Sequence, residues 1–347
     1  MKKNKALILL FAALLAFSCE KKAEQEEASV LISLGLAATG SKAAALTSDE
    51  ERFDSWAYWV FTDTGRAVKC GSIGSSEPAR INLLTGNYTL FVVANYPTAG
   101  SWAIPVSAGI SRDALLASVS DLSVNRRDRF LMVGETSLSL SSGQAASVEV
   151  NLTRLVCKVG VKRISVDYEN PRLGAQTTTL KGIYLTNLWR RTRLGSDYAD
   201  TELSDDPALW YNAMGWHRSG SGNSPGIDAL VGETGIDEVI GAEKPHTTAH
   251  YFYCYPNPTE TEDDTHDASW GARSSRLVIE TEVCGTSFFY QVPIPPMKRN
   301  TPYVAEDIII RKLGSMDPEE VIPGALEVIF SSETAGWEDS CTVTEDS

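Results

Sequence analysis

Histidine, methionine and paired cysteines are scarce in this sequence of 347 residues. It holds four histidines and five methionines, and none of its six cysteines lies in a CxxC pair. It also lacks the GxxxxGK[ST] phosphate loop, the HExxH zinc helix and the GxGxxG dinucleotide turn. These absences argue against a nucleotide-binding protein and against a zinc enzyme or structural zinc site. We therefore expect a non-enzymatic protein with no catalytic residue, no cofactor and no metal.

Positive charge is scarce as well. The formal net charge is −14, and residues 1–18 hold three lysines and no acid, so a chain without them would carry −17. Nucleic acid is a polyanion that proteins bind through clustered lysine and arginine. An acidic chain with no basic patch among its aromatics is expected to repel it. We predict no nucleic-acid partner.

Long apolar runs are limited to one, Ala6–Phe17, which follows three lysines and ends at Ser18 and Cys19. Twelve apolar residues are too few for a helix to cross a hydrocarbon core of about 30 Å. The pattern is typical of an export signal, and a small residue before cysteine indicates a lipoprotein signal peptide over 1–18. We predict that Cys19 is lipidated and anchors the chain in the outer membrane. The alternative is an ordinary secretory signal with a chance cysteine.

Short β-branched and aromatic runs separated by Gly, Pro, Asn and Asp dominate the rest of the chain. They predict strands such as Trp56–Thr62 and Ala146–Val161. Only Ser111–Leu122 has helical apolar spacing, with Ser111 as N-cap. The fold class predicted is all-β, two tandem β-sandwich domains with one short helix. The predicted units are 19–42 as tether and first strand, 43–152 as N-terminal domain and 153–347 as C-terminal domain, with Gly195–Lys244 as a loop insertion.

Candidate ligand residues are few. His246 and His250 follow Pro245 at the start of a predicted strand, where a spacing of four residues separates them by about 13 Å, too far to share one ion. We predict that both are solvated. In the long loop, Trp210, Tyr211 and Trp216 form the one aromatic group that we expect to contact a ligand, whereas Trp56, Tyr58 and Trp59 are expected in the core.

Cysteine pairing stays open at the level of sequence. Besides Cys19 there are five cysteines: Cys70, Cys157, Cys254, Cys284 and Cys341. An odd number leaves at least one thiol unpaired, although an exported chain permits disulfides. Cys157 and Cys254 lie in strand-like runs, where a buried thiol behaves as a small hydrophobe. We interpret these two as structurally inert.

Several stretches together resemble the fimbrillins, the subunits of lipoprotein-derived (type V) pili of Gram-negative gut and oral anaerobes. Their order and spacing span nearly the whole chain after Cys19. The stretches are Ala28–Leu36 with Ser41-Lys42-Ala43, Trp59–Gly65, Leu83–Pro97, Met132–Gly134, Val150–Val156, Tyr253–Asn257, Lys298–Tyr303, Gly314–Pro318 and Gly336–Trp337.

The resemblance implies two transthyretin-like β-sandwich domains and assembly by strand exchange. A trypsin-like protease would cut after a basic residue, Lys42 or else Arg52, and release a first strand over Ser29–Leu36. Another subunit would add a strand in its place, because an exposed sheet edge accepts one. In that strand Val30, Ile32 and Leu34 alternate with Leu31, Ser33 and Gly35.

The expected partners are therefore other fimbrial subunits, the outer membrane through Cys19, and a host or bacterial surface receptor. Lys42 stands where the family usually has arginine, so an uncleaved anchor subunit is an alternative. A surface glycan-binding lipoprotein that uses Trp210, Tyr211 and Trp216 is the alternative from another class. After Trp337 only Cys341 and Val343 are apolar, whereas fimbrillin stalk subunits carry a more apolar tail. This slightly favours a tip or accessory subunit.

Overall fold

The computed structural model describes residues 27–37, 49–143, 145–196, 210–211, 229–257, 274–318 and 320–330. These residues fold into twenty strands and two short α-helices, which confirms the all-β class. Cys19 and the signal segment, Lys42, Trp216 and the chain after Phe330 lie outside the described residues. No helix in the described ranges is long and apolar enough to cross a membrane.

The first half of the chain, residues 27–154, forms one seven-stranded sheet. Its strand order is β3-β2-β5-β7-β8-β1-β4, so the first strand in sequence lies between two strands from distant positions. The strands of this half are β1 Glu27–Leu36, β2 Trp56–Thr62, β3 Ala67–Ile73, β4 Ala79–Leu84, β5 Gly86–Ala94, β6 Val119–Asp121, β7 Met132–Leu140 and β8 Ala145–Arg154, of which β6 lies outside this sheet.

The second half, residues 157–330, contains two larger sheets. The first has the order β10-β19-β9-β16, and β20 also pairs with β19. The second has the order β15-β11-β17-β18. Its strands are β9 Cys157–Val161, β10 Ile164–Val166, β11 Thr178–Thr186, β12 Leu188–Trp189, β13 Arg191–Arg193, β14 Trp210–Tyr211, β15 Gly232–Ile240, β16 His250–Cys254, β17 Arg276–Val283, β18 Thr286–Pro293, β19 Pro302–Ile310 and β20 Leu326–Phe330. The pairs β12–β14 and β13–β6 are short, and the second joins the two halves.

Among the described residues, α-helix is confined to α1, Arg112–Leu116, and α2, Pro171–Gly174, and Leu122–Val124 forms one turn of 3₁₀ helix. Ser111 caps α1 as predicted, since its hydroxyl accepts a hydrogen bond from the Ala114 amide at 3.1 Å. The prediction of a helix up to Leu122 is wrong, because residues 119–121 pair as β6 with β13. The single predicted strand Ala146–Val161 is also two strands, β8 and β9, which belong to different sheets.

The aromatic side chains of β2 form the centre of the first core. Trp56 and Trp59 are fully buried and Tyr58 nearly so, as predicted for large aromatics in a strand. Strand β4 shows the period of two of a sheet with one covered face: Ala79, Ile81 and Leu83 are buried, and the residues between them are exposed.

Candidate functional site

The first strand is held by backbone hydrogen bonds on both of its sides. Along one side β1 runs parallel to β8, with residues Ser29–Leu36 in register with Ala145–Leu152. Along the other it runs antiparallel to β4, with Glu27–Ile32 opposite Leu84–Ala79. Ten residues from the start of the described chain therefore complete a sheet whose other strands come from residues 56–154. This is the geometry of a strand inserted into a groove.

Side chains of β1 alternate between the core and the outer face. Val30 and Ile32 are fully buried, and Leu34 is half-buried at the end of the groove. Val30 lies opposite Ile81 of β4, and Ile32 lies opposite Val148 of β8. Burying one such side chain fully contributes about 1.5–3 kcal/mol. The strand is thus an integral part of the first core.

Strand β4 depends on β1. Within the described residues β1 is the only ladder partner of β4, which lies at the end of the strand order. If β1 left, β8 would expose the backbone groups of one edge, and β4 would lose its sheet neighbour. Unpaired edges of this kind accept a strand from another chain. An incoming strand would need six to eight residues with apolar side chains at alternate positions.

Glu50 is among the first residues described after β1, and several buried contacts hold it in place. This carboxylate is 2 % exposed; it accepts a hydrogen bond from the Tyr253 hydroxyl at 2.6 Å and lies 2.8 Å from the Lys158 ammonium. The Glu50 carbonyl oxygen accepts a hydrogen bond from Arg154 Nε at 2.8 Å. Because Lys158 is in β9 and Tyr253 in β16, the second half of the chain holds residue 50.

Burial changes the acid–base behaviour of this cluster. Desolvation, with the hydrogen bond to the Glu50 carboxylate, raises the pKa of Tyr253 far above its usual value, so its hydroxyl stays a donor. Burial also lowers the pKa of Arg154, although Glu50 opposes that shift. The sequence carries no signal for the cluster, because Glu50 lies 104 residues from Arg154 and 203 residues from Tyr253, and the residues follow no motif.

Arg52 lies two residues beyond this anchor. Its side chain is exposed and pairs with Asp54 at 2.8 Å. Its backbone is engaged, since the amide donates to the Asp49 carbonyl at 3.3 Å and the carbonyl accepts from Asn95 Nδ2 at 3.0 Å. Lys42, the other predicted processing residue, and Cys19, the predicted lipid site, lie outside the described residues.

The predicted aromatic ligand site contains one described side chain. Trp210 is 5 % exposed and stacks on Trp189, with ring centroids 4.6 Å apart and an interplanar angle of 24°. The backbone of Tyr211 pairs with Leu188 in the β12–β14 ladder, and Trp216 lies outside the described residues. Trp210 is thus covered by another tryptophan and is not exposed to solvent.

The prediction for His246 and His250 is wrong. Both rings are buried, and their Nε2 atoms face each other at 2.7 Å. Each Nδ1 contacts a carboxylate of β15: His246 pairs with Glu238 at 2.7 Å and His250 with Glu233 at 3.0 Å. The distance of 13 Å assumed one continuous strand, whereas β16 begins only at His250 and residues 247–249 belong to no strand.

The two rings and the two carboxylates form one chain of polar contacts, in which each Nδ1 faces a glutamate and the Nε2 atoms face each other. Burial is the main cause that lowers the pKa of His250; Glu233 opposes it, while His246 and Arg127 add to it. In the part of the chain that the structure describes, no cluster of three or more His, Cys, Asp or Glu residues could hold a metal ion.

Comparison with known proteins places this architecture. No family model and no curated protein matches the sequence. A solved structure from Bacteroides eggerthii DSM 20697, classed provisionally as a cell adhesion protein, matches with a TM-score of 0.60 and 19 % identity over 88 % of this chain and 95 % of that one.

Two fimbrial proteins of Porphyromonas gingivalis also match. The fimbrilin fimA of strain W83 gives a TM-score of 0.57 at 12 % identity, over 87 % of this chain and 96 % of that one. The tip fimbrial protein Mfa3, with a C-terminal truncation, gives 0.51 at 16 % identity, over 88 % and 98 %. The chain therefore has the fold of the fimbrillins, which confirms the fold that the sequence resemblance predicted.

Proposed function

We propose that the chain is a structural and adhesive subunit of a cell-surface fimbrium. In this proposal it is exported as a lipoprotein, anchored in the outer membrane through Cys19, and assembled with other subunits by β-strand exchange after its first strand is removed. The observation that carries the proposal is β1 itself, an N-terminal strand between β8 and β4. The shared fold with a fimbrilin and a tip fimbrial protein supports it.

Cleavage after Lys42 is favoured over cleavage after Arg52. A protease needs several residues of extended chain whose backbone is not hydrogen-bonded. At Arg52 both backbone groups are hydrogen-bonded, and Glu50 is buried just upstream. Lys42 lies among Ser, Gly, Thr and Ala, small residues of the kind found at exposed nicking sites. The product would keep the Glu50 anchor and begin at Ala43.

Limited trypsin digestion of the full chain tests this mechanism. We expect early cleavage after Lys42 and a fragment with Ala43 at its N-terminus. The variant Lys42→Ala should resist early cleavage and fail to enter SDS-resistant polymers, whereas the matched control Arg52→Ala should behave like the wild type. Polymer formation by Lys42→Ala at the wild-type level would contradict the proposal. An intact 20–52 segment in the wild type would indicate the alternative, an uncleaved anchor subunit.

The position of the subunit within the fimbrium rests on the C-terminal sequence, which lies outside the described residues. Beyond Trp337 the tail is acidic and has two apolar residues, Cys341 and Val343, so it matches a donor strand poorly. We therefore slightly favour a tip or accessory subunit. Deletion of 338–347 should leave fibre growth unchanged, and loss of growth with a folded truncated protein would indicate a donating stalk subunit.

The alternative of a surface glycan-binding lipoprotein remains open to a direct test. It depends on Trp210, Tyr211 and Trp216, and the stacking of Trp210 on Trp189 does not favour it. Binding of the purified chain to immobilised glycans, lost in Trp216→Ala, would support that function instead.

A further inference from the structure

Two cysteines of the second half face each other across neighbouring strands. Cys157 begins β9 and Cys254 ends β16, and the two are directly opposite in the antiparallel register. Their Sγ atoms are 3.5 Å apart, and both side chains are buried. The other described cysteines, Cys70 and Cys284, have no such neighbour among the described residues. Spacing along the chain does not indicate this pairing, because 97 residues separate the two positions.

The backbone geometry permits a covalent bond here. The Tyr253 amide donates to the Leu230 carbonyl and the Lys158 amide donates to the Thr301 carbonyl, so both bond away from the β9–β16 ladder. The adjacent pair Cys157–Cys254 is then of the hydrogen-bonded kind, with Cα atoms about 5.5 Å apart. Disulfides span Cα separations of about 4.4–6.8 Å.

The surroundings leave room for the sulfurs to approach. The two cysteines form the last pair of the β9–β16 ladder, so the strand pairing continues from them in one direction only. The third side chain at the site is Met297, whose Sδ is 3.3 Å from the Cys157 Sγ and 3.8 Å from the Cys254 Sγ. Methionine is flexible and refills space as neighbours move.

We propose that Cys157 and Cys254 form a disulfide in the exported protein, an inference that rests on the proposed export. Two S–H bonds break and one S–S bond forms. The two electrons pass through a mixed disulfide to a thiol–disulfide oxidoreductase of the compartment to which the chain is exported. Its own disulfide becomes a dithiol and takes up two protons, so that no proton is released overall. The bond would fasten the start of β9, next to the last strand of the first half, to the end of β16.

Oxidation must precede closure of the sheet. In the folded chain the hydrogen bond with Cys157 and complete burial raise the pKa of Cys254 well above its ordinary value. Because the thiolate is the reactive form, the buried thiols of a reduced native protein react slowly. The pair should therefore be oxidised during folding, and a chain folded in reduced form should stay reduced.

Two preparations of the full chain test the inference. One is exported from its own signal, and the other is denatured, reduced and refolded with reduced and oxidised glutathione. Each is alkylated in denaturant without reductant and digested with trypsin. We expect the peptide Leu155–Lys158 to be joined to the peptide 219–273. Reductant should lower the Tm of the wild type and of the control Cys70→Ala by about 10 °C, and leave the Tm of Cys254→Ala unchanged.

The outcomes separate the disulfide from the export on which it rests. Alkylation of both cysteines in the refolded preparation, or their linkage to other cysteines, overturns the pairing. In a further outcome, the disulfide forms in the refolded preparation while the chain from cells has free thiols and carries no lipid. That result supports the pairing and contradicts export. Free thiols in a chain that carries labelled fatty acid overturn the disulfide and leave export standing.

Discussion

The ion pair between Glu50 and Lys158 allows a quantitative test of how the two halves are joined. Both side chains are buried and 2.8 Å apart. The change Glu50→Ala leaves the Lys158 ammonium buried without its counter-charge and removes the acceptor of the Tyr253 hydroxyl. Breaking a buried pair in this way costs about 3–5 kcal/mol. The Tyr251 ring, 4.2 Å from the Lys158 Nζ, still stabilises the cation, so we expect the lower end of that range.

A double-mutant cycle isolates the pair. Lys158→Met combined with Glu50→Ala removes both charges, and we expect it to cost less than the sum of the two single changes by about 2 kcal/mol. The exposed neighbour Glu51→Ala is the matched control and should change the free energy of unfolding by no more than about 0.5 kcal/mol. Urea denaturation followed by tryptophan fluorescence gives these values.

The same variant should affect proteolysis. Loss of the anchor at Glu50 should open the backbone around Arg52, so trypsin would cut there at an early time as well as after Lys42. Equal stability of Glu50→Ala and Glu51→Ala, with Arg52 still resistant, would show that the buried pair does not hold this segment.

Two further predictions rest on described residues, and a third rests on the sequence alone. Ile32→Ala should destabilise the first half by about 2–5 kcal/mol in urea denaturation, and the half-buried neighbour Leu31→Ala by clearly less; equal losses would show that β1 does not insert one face into the core. Folding lowers the pKa of His250, so the unfolded chain binds more protons than the folded chain below about pH 6.5. The urea concentration at the midpoint of unfolding should therefore decrease as the pH is lowered from about 7.5 to about 5.5. A midpoint that does not change with pH in the wild type, or that changes equally in His250→Gln, contradicts this. Cys19→Ala should abolish incorporation of labelled fatty acid and leave an unprocessed precursor, and persistent label would refute the lipid site.

Local pattern was enough to predict much of the sheet. Strand β2 is Trp56–Thr62 both as predicted and as observed, because its run of aromatic and β-branched residues ends at an Asp-Thr-Gly turn. Strand β15 is the counter-example, because the sequence predicts a loop insertion over Gly195–Lys244, where the structure has this strand. Its sequence, Gly-Glu-Thr-Gly-Ile-Asp-Glu-Val-Ile, has weak strand propensity, and it becomes a strand because β11 offers it a ladder.

The proposed assembly site was predictable in part. The alternation of Val30, Ile32 and Leu34 indicates an extended strand, and the resemblance to the fimbrillins implies its insertion, but its neighbours β8 and β4 could not be derived from spacing alone. The anchor at Glu50 left no trace in the sequence, since a buried charge is recognised only by its partner, and Lys158 is distant in the chain. The histidine pair is not predicted, because the distance of 13 Å assumes one continuous strand, whereas residues 247–249 belong to no strand.

The covalent link through residues 38–48 gives β1 an advantage over any competing strand. A strand tied to its groove by a short segment of its own chain is present there at an effective concentration of about millimolar. Cleavage of one peptide bond in that segment breaks no contact of β1 with β8 or β4. It changes rebinding from an event within one molecule to an encounter between two, so β1 becomes a ligand that dilution can remove. A strand of equal intrinsic affinity, supplied at high local concentration by a neighbouring subunit, would then occupy the groove.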